Sequence, residues 1–294
     1  MEQVRSKYFR KDPDKNRRRY ILKFQQFLKL KNFSEPTIRT YSSKLNCFLK
    51  FYQELPADQI TPELIRKYII HLVKIDKHSV SSQNSTVSAL KIFYNDFLQK
   101  KVDAHYLPRP KRPNRMPLIL NELEIASILK EITEIRDKCM IFLIYSAGLR
   151  PVEIVYLKPE QIDTIRKRIY ITSPHGDRDR YVLLADKVLI LLQKYYEEYK
   201  PEKWLFEQNP GKQYSRRKLQ KRFQQAVVKS GISKPATLTV LKNSFAVHLI
   251  EKGIDVLYVK KMLGHKKIAS TLKYLKASKR DLNSIKSPLD NLDV

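Results

Sequence analysis

The sequence predicts a mainly α-helical fold: a four-helix N-terminal domain joined to a mixed α/β, mostly helical second domain with a small β-sheet. Three observations carry the prediction. Apolar residues return at steps of three and four along most of the chain, the signature of helices with one buried face. Four prolines crowd residues 103–117 and break the chain in two. Strand-like alternation is confined to short runs near residues 168–184. The divisions that follow are a basic N-terminal extension over 1–16, a helical domain over 17–102, a Pro-rich basic linker over 103–117, a second domain over 118–278 and a C-terminal tail over 279–294.

The extension is dominated by charge and predicts a frayed end. From Arg17 onward, Tyr20, Phe24, Phe27, Leu28 and Leu30 mark the stripe of a first helix. Ser34 followed by Pro36 is a helix start: the serine is placed to cap free N–H groups, and proline fits a first turn that needs none. Tyr41, Leu45, Phe48 and Phe51 continue that helix. Thr61-Pro62-Glu63 repeats the signal for a helix through Ile65, Tyr68, Ile69 and Leu72. Residues 79–85 open a longer helix with Val87, Leu90, Phe93, Tyr94 and Phe97 on one side. Four such helices on short connections predict a bundle.

Beyond the linker, Asn121 precedes an acidic first turn at Glu122 and Glu124. Residues 135–147 are apolar enough for a core helix, which Gly148 ends. Arg150 then stands just before a new helix N-terminus, where backbone N–H groups converge, a natural phosphate position. Residues 168–171 and 180–184 read as two strands around a turn that holds His175, Gly176 and Arg178. Helices follow over 186–199 and 215–230, and Trp204-Leu205-Phe206 between them reads as packing. Three helical patterns close the domain: Leu238 to Leu249, Val256 to Leu263, and Ile268, Leu272, Leu275, punctuated by Gly253 and Gly264.

Composition narrows the function. Lys and Arg number 58 against 30 Asp and Glu, a formal net charge of +28, so a polyanion is the expected partner and nucleic acid the commonest one. A Lys-rich codon bias accounts for part of the excess, and charge alone also fits ribosome-like or membrane-surface binding. Only 6 glycines occur, which leaves no Gly-rich phosphate loop and argues against a nucleotide-driven enzyme. Cys47 and Cys139, each in an apolar helical pattern, predict neither a disulfide framework nor a zinc site and fit a reducing cytoplasm. No apolar run reaches transmembrane length and the first residues lack a signal-peptide core, so a cytoplasmic protein is expected.

The most informative stretch is 236–275. It contains Thr239, Leu241, Lys242, Asn243, Phe245 and His248, then Leu263-Gly264-His265, then Tyr274 nine positions after that histidine. The order resembles the C-terminal box of the tyrosine recombinases, the integrase family, and especially its Xer-like and integron-type bacterial members. There the box runs roughly H-x-L-R-H-S-F-A-x-H-L, then L-G-H, then the tyrosine. Gly148-Leu149-Arg150 with Glu153 is similar to the family's first arginine box.

The resemblance implies a fold and a chemistry. The N-terminal helices would form a SAM-like core-binding domain that clamps DNA, with Arg39, Lys44 and Lys91 on its outer faces and Arg178 in the hairpin as DNA-contact candidates. Tyr274 would attack a backbone phosphate, leaving a 3′-phosphotyrosyl link and a free 5′ hydroxyl, with no cofactor and no metal. Arg150 would clamp the phosphate, Glu153 would help hold the site, and His265 keeps its motif position. Three positions depart from the pattern: His175 replaces the leaving-group lysine, Thr239 a histidine and Lys242 the second arginine. Lysine keeps the charge but not the bidentate fork, threonine is no base near neutrality, and histidine can still donate a proton.

Each oriented electrostatic contact is worth about 10²–10³ in rate, so an active but slowed enzyme is compatible with the set. So is an accessory DNA-binding protein without strand cleavage, or a nicking enzyme of topoisomerase type. The partners implied are double-stranded DNA and either further copies, from dimer to tetramer, or a partner recombinase, with no membrane.

Overall fold

In the computed structural model, the residues described are 13–103, 106–107, 109–110, 116–173 and 179–278. The chain divides into two compact units, 1–114 and 115–294.

Helix α1 (Pro13–Leu30) starts four residues before Arg17, and an Asp14–Arg17 ion pair at 2.8 Å lies in its first turn. Helices α2 (Glu35–Phe51) and α3 (Pro62–Lys74) begin at the Ser34/Pro36 and Thr61/Pro62 signals. Ser34 Oγ turns to Thr37 Oγ1 at 2.9 Å rather than to a backbone N–H. Helix α4 (Val80–Lys91) is capped by Ser79, whose Oγ accepts from the Ser82 N–H at 3.3 Å.

The sequence pattern continues α4 as one regular helix, but residues 92–97 form a π-helical stretch. The wider turn lets neighbouring aromatic residues serve one core. Phe93 and Phe97 stack at 5.5 Å, Phe93 meets Phe24 edge-on at 5.4 Å, and the buried Tyr94 hydroxyl donates to the Ala57 carbonyl at 3.0 Å. Rings that bury area and also meet edge to face gain about 0.5–1.5 kcal/mol per pair beyond burial. Val102 and Leu107 add to this core. Asn84 Nδ2 donates to the Pro110 carbonyl at 3.1 Å, and Arg109 to Ser88 Oγ at 3.2 Å.

The second unit is built around α6 (Ile135–Ala147). Cys139, Met140, Ile141, Leu143, Ile144 and Ala147 are all fully buried along it. Helix α5 (Glu122–Lys130) precedes it with a capping box: Asn121 Oδ1 accepts from the Glu124 N–H, and Glu124 accepts from the Asn121 N–H, both at 2.8 Å. Such a cap is worth about 1 kcal/mol. A five-residue helix, α7 (Pro151–Val155), leads to an antiparallel sheet of β1 (Ile162–Asp163), β2 (Arg168–Ile171) and β3 (Arg180–Leu183). Alternation along β2 buries Ile169 and Ile171, and the register pairs Ile171 with Arg180.

Helix α8 (Asp186–Tyr199) packs on α6. A second hairpin of β4 (Glu207–Asn209) and β5 (Lys212–Gln213) follows, which sequence alternation does not announce in strands this short. Trp204 is half-buried at the edge of the core and packs edge-on against the exposed Tyr156 at 5.7 Å. Helices α9 (Arg216–Lys229), α10 (Leu238–Glu251), α11 (Val256–Leu263) and α12 (Ala269–Ala277) complete the unit.

Three expectations from apolar spacing need correction. Leu30 is exposed at the end of α1. Leu272 and Leu275 are exposed on α12, because that helix turns the polar-headed Thr271 and Tyr274 inward. Cys47 lies on the outer face of α2, while Cys139 is buried and its thiol is pushed up to about 12, chiefly by burial. Among the described residues no helix is long and apolar enough to cross a membrane.

Candidate active site

Two glycines let the local chain turn into the site. Gly148 ends α6 at φ +67°, and a Cβ there would stand 2.5 Å from the Phe245 ring of α10. Gly264 ends α11 at φ +63°, with Arg180 Nη1 3.1 Å from where a Cβ would sit. Both positions favour glycine for conformation and for space.

The turn after Gly148 presents Arg150, and Glu153 one turn later ties it down. The Glu153 carboxylate accepts four hydrogen bonds. Arg150 donates its backbone N–H and Nη1, each at 2.7 Å, and Arg180 donates Nη1 and Nη2, each at 3.0 Å. Burial alone would raise this carboxyl, but Arg180 and then Arg150 outweigh it and hold it below the ordinary carboxylate range. The two guanidiniums also reach the far side of the site. Arg150 Nη2 donates to the Leu263 carbonyl at 2.9 Å, and Arg180 Nε to the Met262 carbonyl at 2.7 Å. These are the unsatisfied carbonyls at the C-terminus of α11, where cations are favoured. One carboxylate and two arginines therefore fasten α7, β3 and α11 together.

Helix α10 starts at Thr237, whose hydroxyl accepts from the Val240 N–H at 3.2 Å, and brings in Lys242 and Asn243. Lys242 is only 7% exposed, and among the described residues none gives its ammonium a hydrogen bond or ion pair. Burial first, then the charge of Arg150, bring its pKa down to about 7; Glu153 opposes the change, and Arg180 and Lys273 add to it.

After Gly264 the chain places His265, whose Nδ1 is 2.9 Å from the buried Thr271 Oγ1. Burial, Lys242, Arg150, Lys273 and Arg180 lower this imidazole to about 4, so it is neutral at pH 7. Its ring stacks on Tyr274 with centroids 6.2 Å apart and planes 17° apart. Tyr274 is 2% exposed, its hydroxyl donates to Asn243 Oδ1 at 2.9 Å, and burial raises its pKa against the pull of Arg150. Lys273 holds its ammonium 4.8 Å above the Tyr274 ring centroid.

Outside this cluster, Arg180, Lys260, Lys261 and His265 line an open groove of about 390 Å³. Arg150, Arg180, Lys242 and Lys273 set four cations against the single carboxylate of Glu153. A neutral imidazole and a phenol lie among them. Such a set suits a nucleophile that attacks a dianionic or monoanionic phosphorus centre. Among the described residues no group of three or more His, Cys, Asp or Glu side chains gathers as metal ligands would.

Of the residues singled out from sequence, the structure brings Arg150, Lys242, His265 and Tyr274 together. Thr239 is exposed on the first turn of α10 and makes no described hydrogen bond to them. His175 and Arg178 lie outside the described residues. Arg39 and Lys91 are exposed on α2 and α4, while Lys44 Nζ is hydrogen-bonded to Ser82 Oγ at 2.7 Å, linking those two helices. Sequence reasoning left three contributors without roles: Arg180, Asn243 and Lys273. The strand position of Arg180 carried a signal, since it opens a short strand directly after the turn. Asn243 stands where the family box frequently has a histidine, and packing of α12 on α10 gives it Tyr274 as partner; Lys273 had no signal.

Comparison with known proteins bears on the family and the fold. Residues 116–281 match the phage integrase family, and residues 20–104 match the phage integrase N-terminal SAM-like domain. The chain is 33% identical over 270 residues to the integrase/recombinase y4qK of Sinorhizobium fredii, across 90% of this chain and 86% of that one. It is 30% identical over 285 residues to tyrosine recombinase XerD of Staphylococcus aureus, across 90% and 96%. Among solved structures, XerA recombinase aligns at 27% identity and a TM-score of 0.52, over 88% of this chain and 93% of that chain. Lambda integrase residues 75–356, solved as a dimer bound to a core site, align with a TM-score of 0.72 at 17% identity over 92% and 98%, a likeness of fold.

Proposed function

Because the chain belongs to the phage integrase family of tyrosine recombinases, we propose that it cuts and rejoins double-stranded DNA at specific sites through a covalent link to Tyr274. The observation that carries this reading is the buried Tyr274 phenol, stacked on a neutral His265, with Arg150 acting on the phenol, Lys273 over its ring and Lys242 acting on the histidine.

In the reaction, Tyr274 Oη forms a bond to phosphorus as the bond from phosphorus to the 5′ oxygen breaks. The phenol gives up its proton and the 5′ oxygen gains one, so charge and atoms balance with no redox change. His265 is neutral at pH 7; burial and then the nearby cations hold its pKa at about 4, a bound phosphate offsets those cations, and the imidazole then takes the phenolic proton. Asn243 fixes the phenol from the other side. Arg150 and Lys242 face the phosphate charge, and Glu153 with Arg180 holds Arg150 in place. His175 serves as proton donor to the leaving oxygen. Thr239, on the helix turn before Lys242, orders a water or a phosphate oxygen. Energy stays in the phosphotyrosyl bond, and attack by a partner strand's 5′ hydroxyl reverses the step.

The N-terminal helices contribute DNA contacts, for which Arg39 and Lys91 are exposed, and Arg178 adds one from the second domain. Lambda integrase is known as a dimer on a core site and as a tetramer on a Holliday junction. By analogy this chain acts as a dimer to tetramer on paired sites, in the cytoplasm, with a second recombinase as the other possible partner. We divide it into a DNA-clamping domain over 17–102, a linker over 103–117 and a catalytic domain over 118–278, a reading supported by the matches over 20–104 and 116–281.

Covalent capture tests the reading. Wild type and Tyr274→Phe are produced in the native host, denatured without crosslinker and recovered, and attached DNA is sequenced. DNA on the wild type alone, with a shared end sequence, is the expected result and identifies the site. Both proteins free of DNA, with crosslinking showing that both bind it, would replace the enzyme with an accessory DNA-binding protein.

A further inference from the structure

Lys242 sits where the family pattern has an arginine, and one ammonium cannot reproduce a guanidinium fork. An arginine binds two non-bridging oxygens of a phosphate at once, while a lysine offers one point charge. The structure has a second cation beside it. Lys273 extends from α12 with its ammonium 4.8 Å above the ring of Tyr274, the residue next in the chain. It stands close enough to Lys242 and His265 to disfavour a proton on each.

The face of the Tyr274 ring attracts this cation, while the charge of Lys242 repels it. Lys273 is exposed and has a flexible stem free to turn its charge to water, yet its charge stays near enough to Lys242 and His265 to act on both. Among the described residues no carboxylate pairs with Lys273, and Glu153 is already saturated by the two arginines. Like charges are gathered this way where a polyanion completes the site.

We propose that Lys273 is a catalytic residue, binding one non-bridging oxygen of the scissile phosphate while Lys242 binds the other. Together the two ammoniums do the work of the family's single second arginine. The assignment rests on the recombinase reading above and adds to it a residue outside the family's motif positions. It also accounts for the tolerance of lysine at position 242, because the missing half of the fork comes from the neighbouring helix.

The test is an epistasis measurement on a nicked duplex carrying the site recovered by covalent capture. Single-turnover rates of covalent complex formation are measured at saturating protein for wild type, Lys273→Met, Lys273→Arg, Lys242→Arg and the Lys242→Arg/Lys273→Met double variant. Lys273→Met is expected to slow capture about 10²-fold, the usual loss for one oriented electrostatic contact, and Lys273→Arg to keep most of the rate. In the Lys242→Arg background the loss from Lys273→Met is expected to shrink by about tenfold or more, since a fork then meets both oxygens. Equal losses in both backgrounds, or no loss in the wild-type background, would overturn the assignment and leave the recombinase reading standing. A wild type that never forms a covalent complex would overturn the recombinase reading and this assignment with it.

Discussion

Lys242 makes a prediction that needs no DNA at all. The residue is only 7% exposed, its ammonium has no described partner, and its pKa falls from 10.5 to about 7. At 1.36 kcal/mol for each pH unit, that difference amounts to roughly 5 kcal/mol of charge burial, and about half of it once water reaches the group. Below pH 7 both folded and unfolded chains carry the proton, so the folded protein bears the full cost. Between pH 7 and 10.5 the folded chain releases the proton and the unfolded chain keeps it. The unfolded state then binds more protons, and stability rises with pH.

Lys242→Met removes the charge at similar volume. The variant is expected to be more stable than wild type at pH 6 by about 2–5 kcal/mol. That advantage should narrow by roughly 1.5–3 kcal/mol between pH 7 and pH 9, as the wild type loses its proton. Urea unfolding of the DNA-free proteins at pH 6, 7 and 9, followed by the fluorescence of the single tryptophan, Trp204, reads both quantities. A variant less stable than wild type at pH 6, or an advantage that stays constant with pH, would refute the reasoning. Lys242 would then be solvated or paired and would not be held ready for a phosphate.

Further outcomes follow from the same geometry. Gly148→Ala forces a side chain into φ +67° against the Phe245 ring, and should cost about 2–4 kcal/mol in urea unfolding; a cost below about 1 kcal/mol would mean the turn has freedom that the packing denies it. Asn243→Ala removes the acceptor of the Tyr274 hydroxyl; about 1–1.5 kcal/mol of lost positioning corresponds to roughly tenfold slower covalent capture with DNA affinity unchanged. A net charge of +28 that engages some six to ten phosphates should give a plot of log affinity against log salt with a slope of about −5 to −9, and a slope near zero in a fluorescence anisotropy titration would contradict the nucleic-acid reading.

Local chemistry made much of the fold readable. Ser34 with Pro36, Thr61 with Pro62 and Asn121 with Glu124 mark helix starts because caps and prolines act within a few residues of sequence. Gly148 and Gly264 mark helix ends for the same reason. What remained hidden depends on contacts between distant segments. The π-helical turn over residues 92–97 is set by aromatic rings arriving from α1 and α2. Spacing alone assigned Leu272 and Leu275 to the buried side of α12, whereas the hydrogen bonds of Thr271 to His265 and Tyr274 to Asn243 turn that helix the other way.

The site divides similarly. Arg150, His265 and Tyr274 stand in a recognisable order along the chain, so their types and spacing pointed to them. Arg180 and Glu153 matter through a hydrogen-bond network across three elements that no local pattern announces. Lys273 reads as one lysine among many until α12 packs and sets its charge beside Lys242 and His265.

The central claim is that Tyr274 becomes covalently joined to a DNA 3′ phosphate. Wild-type protein recovered with its DNA under denaturing conditions is digested with nuclease and then protease, and the peptides are analysed by mass spectrometry. The account predicts a nucleotide attached through its 3′ phosphate to the peptide containing Tyr274, and to that tyrosine within it. The same adduct on any other residue, or DNA recovered with no residue modified, would contradict it.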